Sequence, residues 1–130
     1  MSKINLRGRT RQERFDIACK GVIEQGGPAV NADGTSCAYR ADNGRKCWFG
    51  HLLTDAEYER LGGWPIVEGK AAIDLIKSQF YADCQRAHDV LSGADLETWR
   101  ENFIRECREI AEEYNLDASV LDTPWPKEAA

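Results

Sequence analysis

The densest group of reactive side chains lies between residues 36 and 58, where two cysteines, a histidine and a tyrosine–arginine pair surround a predicted turn. Cys47 and His51 are four positions apart, and a second cysteine–histidine pair with this spacing follows on a predicted helix, where such residues share a face. Thiolate and imidazole are typical zinc ligands. The candidate donors of a zinc site are Cys37, Cys47, His51, Cys84 and His88. Alternatively, the thiols are buried and pack as small apolar groups.

A thiol nucleophile is a second chemical hypothesis, since it needs a thiolate, a base and a group that orients the base. Cys47, His88 and Asp89 supply these types. Adjacent residues point to different sides of a helix, so we do not expect Asp89 to orient His88. This favours a packing role for His88 and a protein without a catalytic site.

Recognition of a ligand or partner is the third hypothesis. An arginine beside a tyrosine offers a planar fork for phosphate or carboxylate and a ring for stacking. The candidate ligand- or partner-binding residues are Tyr39, Arg40, Gly44, Trp48 and His88, and Trp125 is a further candidate interface anchor. Alternatively, Tyr39 belongs to the core and Arg40 pairs with a nearby acid. The chain contains no P-loop and no G-x-G-x-x-G motif.

The elements around this group predict an α+β fold, with a small three-stranded antiparallel sheet packed by four to five helices. Thr10 and Glu13 form a capping-box pair that opens a helix over 11–25. Two turn signals with Asp-Gly and Asn-Gly then separate strand-like segments. The predicted strands lie near 28–31, 35–40 and 45–49, so that the sheet covers about 28–49.

Side-chain alternation in this sheet depends on the turn at residues 42–44. A three-residue loop with Gly44 left-handed places Cys37, Tyr39, Cys47 and Phe49 on the inner face. The outer face then carries Arg40 and Trp48. A two-residue loop would shift the register and break this grouping.

Further helices are predicted at about 55–60, over 70–91 with a break near Ser78, and after Asp95 as the N-cap of the last long helix. We expect one domain, 1–130, with a basic, flexible arm at 1–9 and an extended tail at 117–130.

Composition and charge exclude some classes of function and favour others. Apolar residues make up 42% of the chain and the net charge is −5, which is ordinary for a globular protein and does not favour nucleic-acid binding. We expect no membrane span and a cytosolic location. The five cysteines are an odd number, and in a cytosolic chain we expect them to be reduced.

The chain resembles a family of small uncharacterised bacteriophage and prophage proteins with the motif C-x-Y-R-x-x-x-G-x-x-C-x-x-G-[CH]-L and a downstream Q-x-x-H-D. The matching residues are Cys37, Tyr39, Arg40, Gly44, Cys47, Gly50, Leu52, Asp55, Tyr58, Gln85, His88, Asp89 and Trp99. His51 stands where relatives commonly have cysteine. Zinc ligation tolerates this exchange, and so does an exposed, unconstrained site.

This resemblance implies a phage or mobile-element setting, without assigning an activity. The favoured function is a non-enzymatic accessory protein that binds and modulates a host or defence component in the bacterial cytosol, with an anti-defence role as one form of it. The alternatives are a protein that sequesters a nucleotide-like or other small anionic ligand, and a zinc-stabilised binding module. The oligomeric state is left open.

Overall fold

The computed structural model describes residues 10–29, 45–52, 79–90 and 94–127. This part of the chain is 70% helical and contains three α-helices, without a strand or a sheet. The helices are α1 (Arg11–Gln25), α2 (Gln79–Asp89) and α3 (Leu96–Glu113). Two 3-10 helices, Phe49–Leu52 and Ser119–Asp122, accompany them.

Helix α1 begins and ends where the sequence predicted. The Thr10 hydroxyl accepts a hydrogen bond from the Glu13 N–H at 3.0 Å, and the Glu13 carboxylate accepts one from the Thr10 N–H at 2.9 Å. At the other end Gly26 takes a left-handed conformation with φ of 94°. Its N–H bonds back to the carbonyls of Ile23 and Val22. Both capping groups satisfy backbone atoms that the helix itself leaves open.

Helix α3 also starts at its predicted cap, because Asp95 accepts the Thr98 N–H at 2.9 Å. Helix α2 confirms the predicted 70–91 helix over its C-terminal half, and residues 70–78 lie outside the described residues, as does the helix predicted at 55–60. The antiparallel pairing of α2 and α3 follows from the short connection between them.

The prediction of an α+β fold with a three-stranded sheet is wrong for the described residues. Residues 30–44, which would hold most of that sheet, lie outside them. The predicted third strand, 45–49, runs instead through a turn at Trp48 into the 3-10 helix Phe49–Leu52.

The physical reason lies in the side chain of Gln25. Its amide donates to the Lys46 carbonyl at 2.7 Å, and its carbonyl oxygen accepts the Lys46 N–H at 2.9 Å. Both backbone groups of Lys46 are therefore bonded to a helix side chain. The chain leaves the extended conformation at Trp48, where the turn into the 3-10 helix begins.

The core lies between the three α-helices and the two 3-10 helices. Its larger members are aromatic, with Trp99 stacked on Phe103 at 5.0 Å and Trp48 edge-on to Phe80 at 6.0 Å. The buried residues of the core are Phe15, Ala18, Cys19, Val22, Ile23, Cys47, Trp48, Leu52, Phe80, Cys84, Ala87, Trp99, Phe103, Cys107, Ile110, Ala111 and Leu121.

The described part of the C-terminal segment, residues 117–127, is more structured than the extended tail that the sequence suggested. It contains the 3-10 helix Ser119–Asp122, and Leu121 is buried in the core. Gln12 ties its beginning to α1, since the Gln12 side chain accepts the Asp117 N–H at 2.7 Å and donates to the Asp117 carbonyl at 2.9 Å. Among the described helices, none has both the length and the apolar character that a membrane span requires.

Candidate functional site

Cys47 and Trp48 are both fully buried, although strand alternation had placed Trp48 on the outer face. The Trp48 indole N–H donates to the Cys19 sulfur at 3.3 Å, and the Gly50 N–H donates to the Cys47 sulfur at 3.2 Å. The expectation that Trp48 is exposed is therefore wrong. In this conformation it is a core residue rather than a surface anchor.

His51 is held against α1. Its Nε2 lies 2.9 Å from the Gln25 side-chain oxygen, which also accepts the Lys46 N–H. Since that oxygen is an acceptor, Nε2 carries the proton. The ring lies so close to Gly21 that a Cβ there would be 2.4 Å from Nδ1. The glycine thus provides the space in which His51 packs.

His88 is fully buried, and both ring nitrogens have partners. The Ala29 N–H donates to Nε2 at 3.0 Å, so the proton lies on Nδ1, which donates to the Asp89 carboxylate at 2.9 Å. The expectation that Asp89 would not orient its neighbour is wrong. Because a backbone N–H occupies Nε2, however, this His–Asp pair cannot accept a proton from a substrate without losing that bond.

Three buried thiols, one from each α-helix, come close together in the core: Cys19, Cys84 and Cys107. Burial raises the pKa of Cys84 and of Cys107 well above the usual thiol value, and the neighbouring Cys19 adds to both shifts. The Cys84 and Cys107 thiols therefore stay protonated and are poor nucleophiles.

The proposed zinc donors are not brought together where the structure describes them. Within residues 10–29, 45–52, 79–90 and 94–127, no three histidine, cysteine or acidic side chains are grouped to hold a metal ion. Cys37, the fifth proposed donor, lies outside these ranges. Tyr39, Arg40 and Gly44 also lie outside them, and their predicted role in ligand or partner binding stays a prediction.

Among the described residues, an open groove of about 930 Å³ lies along α3, and we call it the α3 groove. Its walls combine three apolar residues, two acids and three arginines. The lining residues are Leu96, Glu97, Arg100, Glu101, Ile104, Arg105, Arg108 and Trp125. The groove is therefore amphipathic.

One wall of the α3 groove is built by Trp125. Its ring lies edge-on to Trp99 at 6.2 Å and to Phe103 at 6.4 Å, while the Arg100 guanidinium covers it at 4.9 Å. Arg100 in turn donates two hydrogen bonds, at 3.0 and 2.9 Å, to the Gly26 carbonyl. This carbonyl belongs to the left-handed turn that ends α1, so the end of α1 fixes the wall of the groove.

Trp125 is a residue of this groove that the sequence predicts as an interface anchor, whereas the acids and arginines beside it were not predicted. The sequence contains one indication of this surface. Residues 97, 101, 104 and 108 are separated by four, three and four positions, which places them on one stripe of a helix. That stripe reads Glu, Glu, Ile, Arg. Comparison with family models, with curated proteins and with solved structures found no significant match for the chain.

Proposed function

We propose that the protein is a non-enzymatic accessory protein of a phage or mobile element that acts in the bacterial cytosol by binding a host or defence protein through the α3 groove. The observation that carries this proposal is the groove itself, an accessible surface with apolar residues between charged ones. Such a surface, with an aromatic wall and arginines, has the composition typical of protein interfaces. The phage setting comes from the sequence motif alone.

The state of the reactive side chains supports binding over catalysis. Nucleophilic catalysis by cysteine requires an accessible thiolate. In the described part of the chain, Cys47 is fully buried, and burial raises the pKa of Cys84 and Cys107. His88, the candidate base, uses Nε2 to accept a backbone N–H. Each of these side chains is buried in the core.

The form of the α3 groove supports a protein partner over a small ligand. The stripe from Glu97 to Arg108 covers about three helical turns, or roughly 16 Å. Small-ligand sites are usually concave and enclose most of the ligand surface. An open groove of this length, lined by apolar and charged side chains, fits an elongated segment such as a helix.

Affinity capture from host lysate tests the proposal when it is combined with a matched pair of variants. Glu101 lines the groove, whereas Glu109 lies on the same helix outside it, and both side chains are exposed. We expect the wild-type protein and Glu109→Lys to retain the same partner in equal amounts. Glu101→Lys should retain at least about tenfold less of it, because the substitution reverses a charge within the interface. Mass spectrometry of the retained proteins provides the measurement.

The two variants carry the same charge change on one helix, so a general effect of net charge acts on both equally. Circular dichroism confirms that each is folded. Capture of no specific protein by the wild type contradicts the proposed function. Equal capture by Glu101→Lys and Glu109→Lys contradicts the assignment of the groove as the docking surface.

A further inference from the structure

Arg100 lies between the two acids of the α3 groove in sequence, but its guanidinium is bound at the end of α1. It donates two hydrogen bonds to the Gly26 carbonyl and covers the Trp125 ring. The Arg45 guanidinium lies at the same turn, with Nη1 3.1 Å from the place that a Cβ on Gly27 would take. The last turn of α1 has no basic residue of its own, so these two arginines supply the cations that the C-terminal end of a helix favours.

The other two arginines of the groove also have polar partners in this chain. Arg105 donates a hydrogen bond to the side-chain oxygen of Asn102, a buried residue outside the groove lining. Arg108 forms an ion pair with Asp122 at 3.1 Å. Each groove arginine is therefore bonded to an oxygen atom of the protein itself.

The two acids of the groove differ from the arginines in this respect. Within the described part of the chain, the carboxylates of Glu97 and Glu101 form no hydrogen bond and no ion pair, and both side chains are exposed. The two residues are four positions apart on α3, which separates them by about 6 Å along the helix axis. Ile104 and Trp125, both half-buried, line the same groove. The charge that is left without a partner is therefore negative and lies beside apolar side chains.

We infer that the α3 groove binds a basic amphipathic helix of the partner protein, with two lysine or arginine side chains against Glu97 and Glu101 and with apolar side chains against Ile104 and Trp125. The inference rests on the proposed function, since it states the chemistry of the partner at the same surface. Basic residues at positions i and i+4 of a helix are also about 6 Å apart along its axis, so they match the spacing of the two acids. Their long apolar stems can cover the isoleucine while the charged ends reach the carboxylates.

An acidic partner fits the groove less well. It would compete with the oxygen atoms to which the three arginines are already bonded, and it would place like charges against Glu97 and Glu101. Displacing Arg100 would break both of its hydrogen bonds to the Gly26 carbonyl. A basic helix breaks none of these contacts when it pairs with the two acids.

Two helical peptides of opposite charge test this inference on the purified full chain. Each has about 18 residues, which is long enough for partial helix formation in water, and both share one face of leucine and alanine. One peptide has lysine at paired positions four residues apart, and the other has glutamate at the same positions. We expect the wild-type protein to bind the lysine peptide at least about tenfold more tightly, measured by fluorescence anisotropy at about 0.05 M salt.

Charge reversal in the groove should reverse this preference. Glu97→Lys/Glu101→Lys should bind the glutamate peptide more tightly, whereas Glu109→Lys/Glu112→Lys, with the same change of net charge at exposed positions outside the groove, should still prefer the lysine peptide. Glu97 lies in the first turn of α3, where lysine is unfavourable for the helix. Glu97→Gln/Glu101→Gln is therefore a second variant, and it should bind the two peptides about equally.

Several outcomes overturn the inference. Wild-type protein that binds both peptides equally, prefers the glutamate peptide or binds neither up to about 1 mM contradicts a basic partner. A preference for the lysine peptide that survives in Glu97→Lys/Glu101→Lys places the attraction elsewhere on the chain. A wild-type dimer in sedimentation equilibrium that this variant dissociates assigns the groove to a second copy instead. None of these results changes the lysate capture, which tests the proposed function by retention of a partner and not by the partner's charge.

Discussion

Substitution of Gly21 by alanine tests how His51 is held against α1. Gly21 lies inside α1, where replacing glycine by alanine normally stabilises a helix by about 1 kcal/mol. Here an added Cβ would lie 2.4 Å from His51 Nδ1, 2.6 Å from Cγ and 2.7 Å from Cε1. These atoms belong to a planar ring and not to the end of a flexible chain. The ring must therefore move.

The expected cost has two parts. Displacing the ring breaks the hydrogen bond between His51 Nε2 and the Gln25 side-chain oxygen, worth about 1 kcal/mol. Forcing an extra methyl group into a packed site costs about 1–3 kcal/mol. Set against the helix gain of about 1 kcal/mol, Gly21→Ala should lower the free energy of unfolding by about 1–3 kcal/mol.

The effect of Gly21→Ala on the free energy of unfolding should change sign when the His51 ring is absent. In a His51→Ala background nothing obstructs the new methyl group, and Gly21→Ala should raise the free energy of unfolding by about 0.5–1 kcal/mol. Urea denaturation followed by circular dichroism at a helical wavelength gives all four stabilities of this double-mutant cycle. If Gly21→Ala destabilises the His51→Ala protein as much as the wild type, the clash with the ring is not its cause and the packing described for His51 is wrong.

Two further predictions concern buried polar contacts. His88→Phe removes the acceptor of the buried Ala29 N–H and should lower the free energy of unfolding, measured by urea denaturation, by about 1–3 kcal/mol. An unchanged free energy of unfolding would show that this N–H has another partner. Burial and the hydrogen bond to Asp83 raise the pKa of Tyr114 to about 12, above its unfolded value of about 10. The stabilisation from its protonated form is thus complete below about pH 10 and is lost as the pH rises towards 12. Ultraviolet titration should show this late phenol ionisation in the wild type and not in Tyr114→Phe, and equal titration curves would contradict the assignment.

Both ends of α1 and the start of α3 were predictable because their signals are local. Thr10 and Glu13 are three residues apart, Gly26 follows the last turn directly, and Asp95 caps the Thr98 N–H. Each of these contacts closes within one turn of helix, so a short window of sequence contains everything that determines it. The structure accordingly starts α1 and α3, and ends α1, at the expected residues.

The segment 45–52 was not predictable in the same way. Its alternating pattern is typical of a strand, but its conformation depends on contacts with α1 that are distant in sequence. Gln25 bonds to both backbone groups of Lys46, 21 residues away, and Cys19 accepts the Trp48 indole N–H from 29 residues away. Local propensity is overridden by such tertiary contacts, and the pattern alone does not contain them.

The α3 groove was predictable in part. The order of charges along the stripe is visible in the sequence once α3 is assigned, since residues at spacings of three and four share a face. The wall formed by Trp125 is not visible in the sequence, because it requires the C-terminal segment to fold back on α3. The bond from Arg100 to the Gly26 carbonyl spans 74 residues and helps fix that arrangement.

Polar side chains near the predicted site have a structural use in the described part of the chain. Backbone N–H and C=O groups that are removed from water must be paired. Here side chains provide the partners: Gln25 binds both backbone groups of Lys46, and His88 accepts the Ala29 N–H. The same donors and acceptors cannot also serve a substrate unless these segments move. Among the described residues, the charged stripe of α3 lines an open groove, and the proposed recognition is to be tested there.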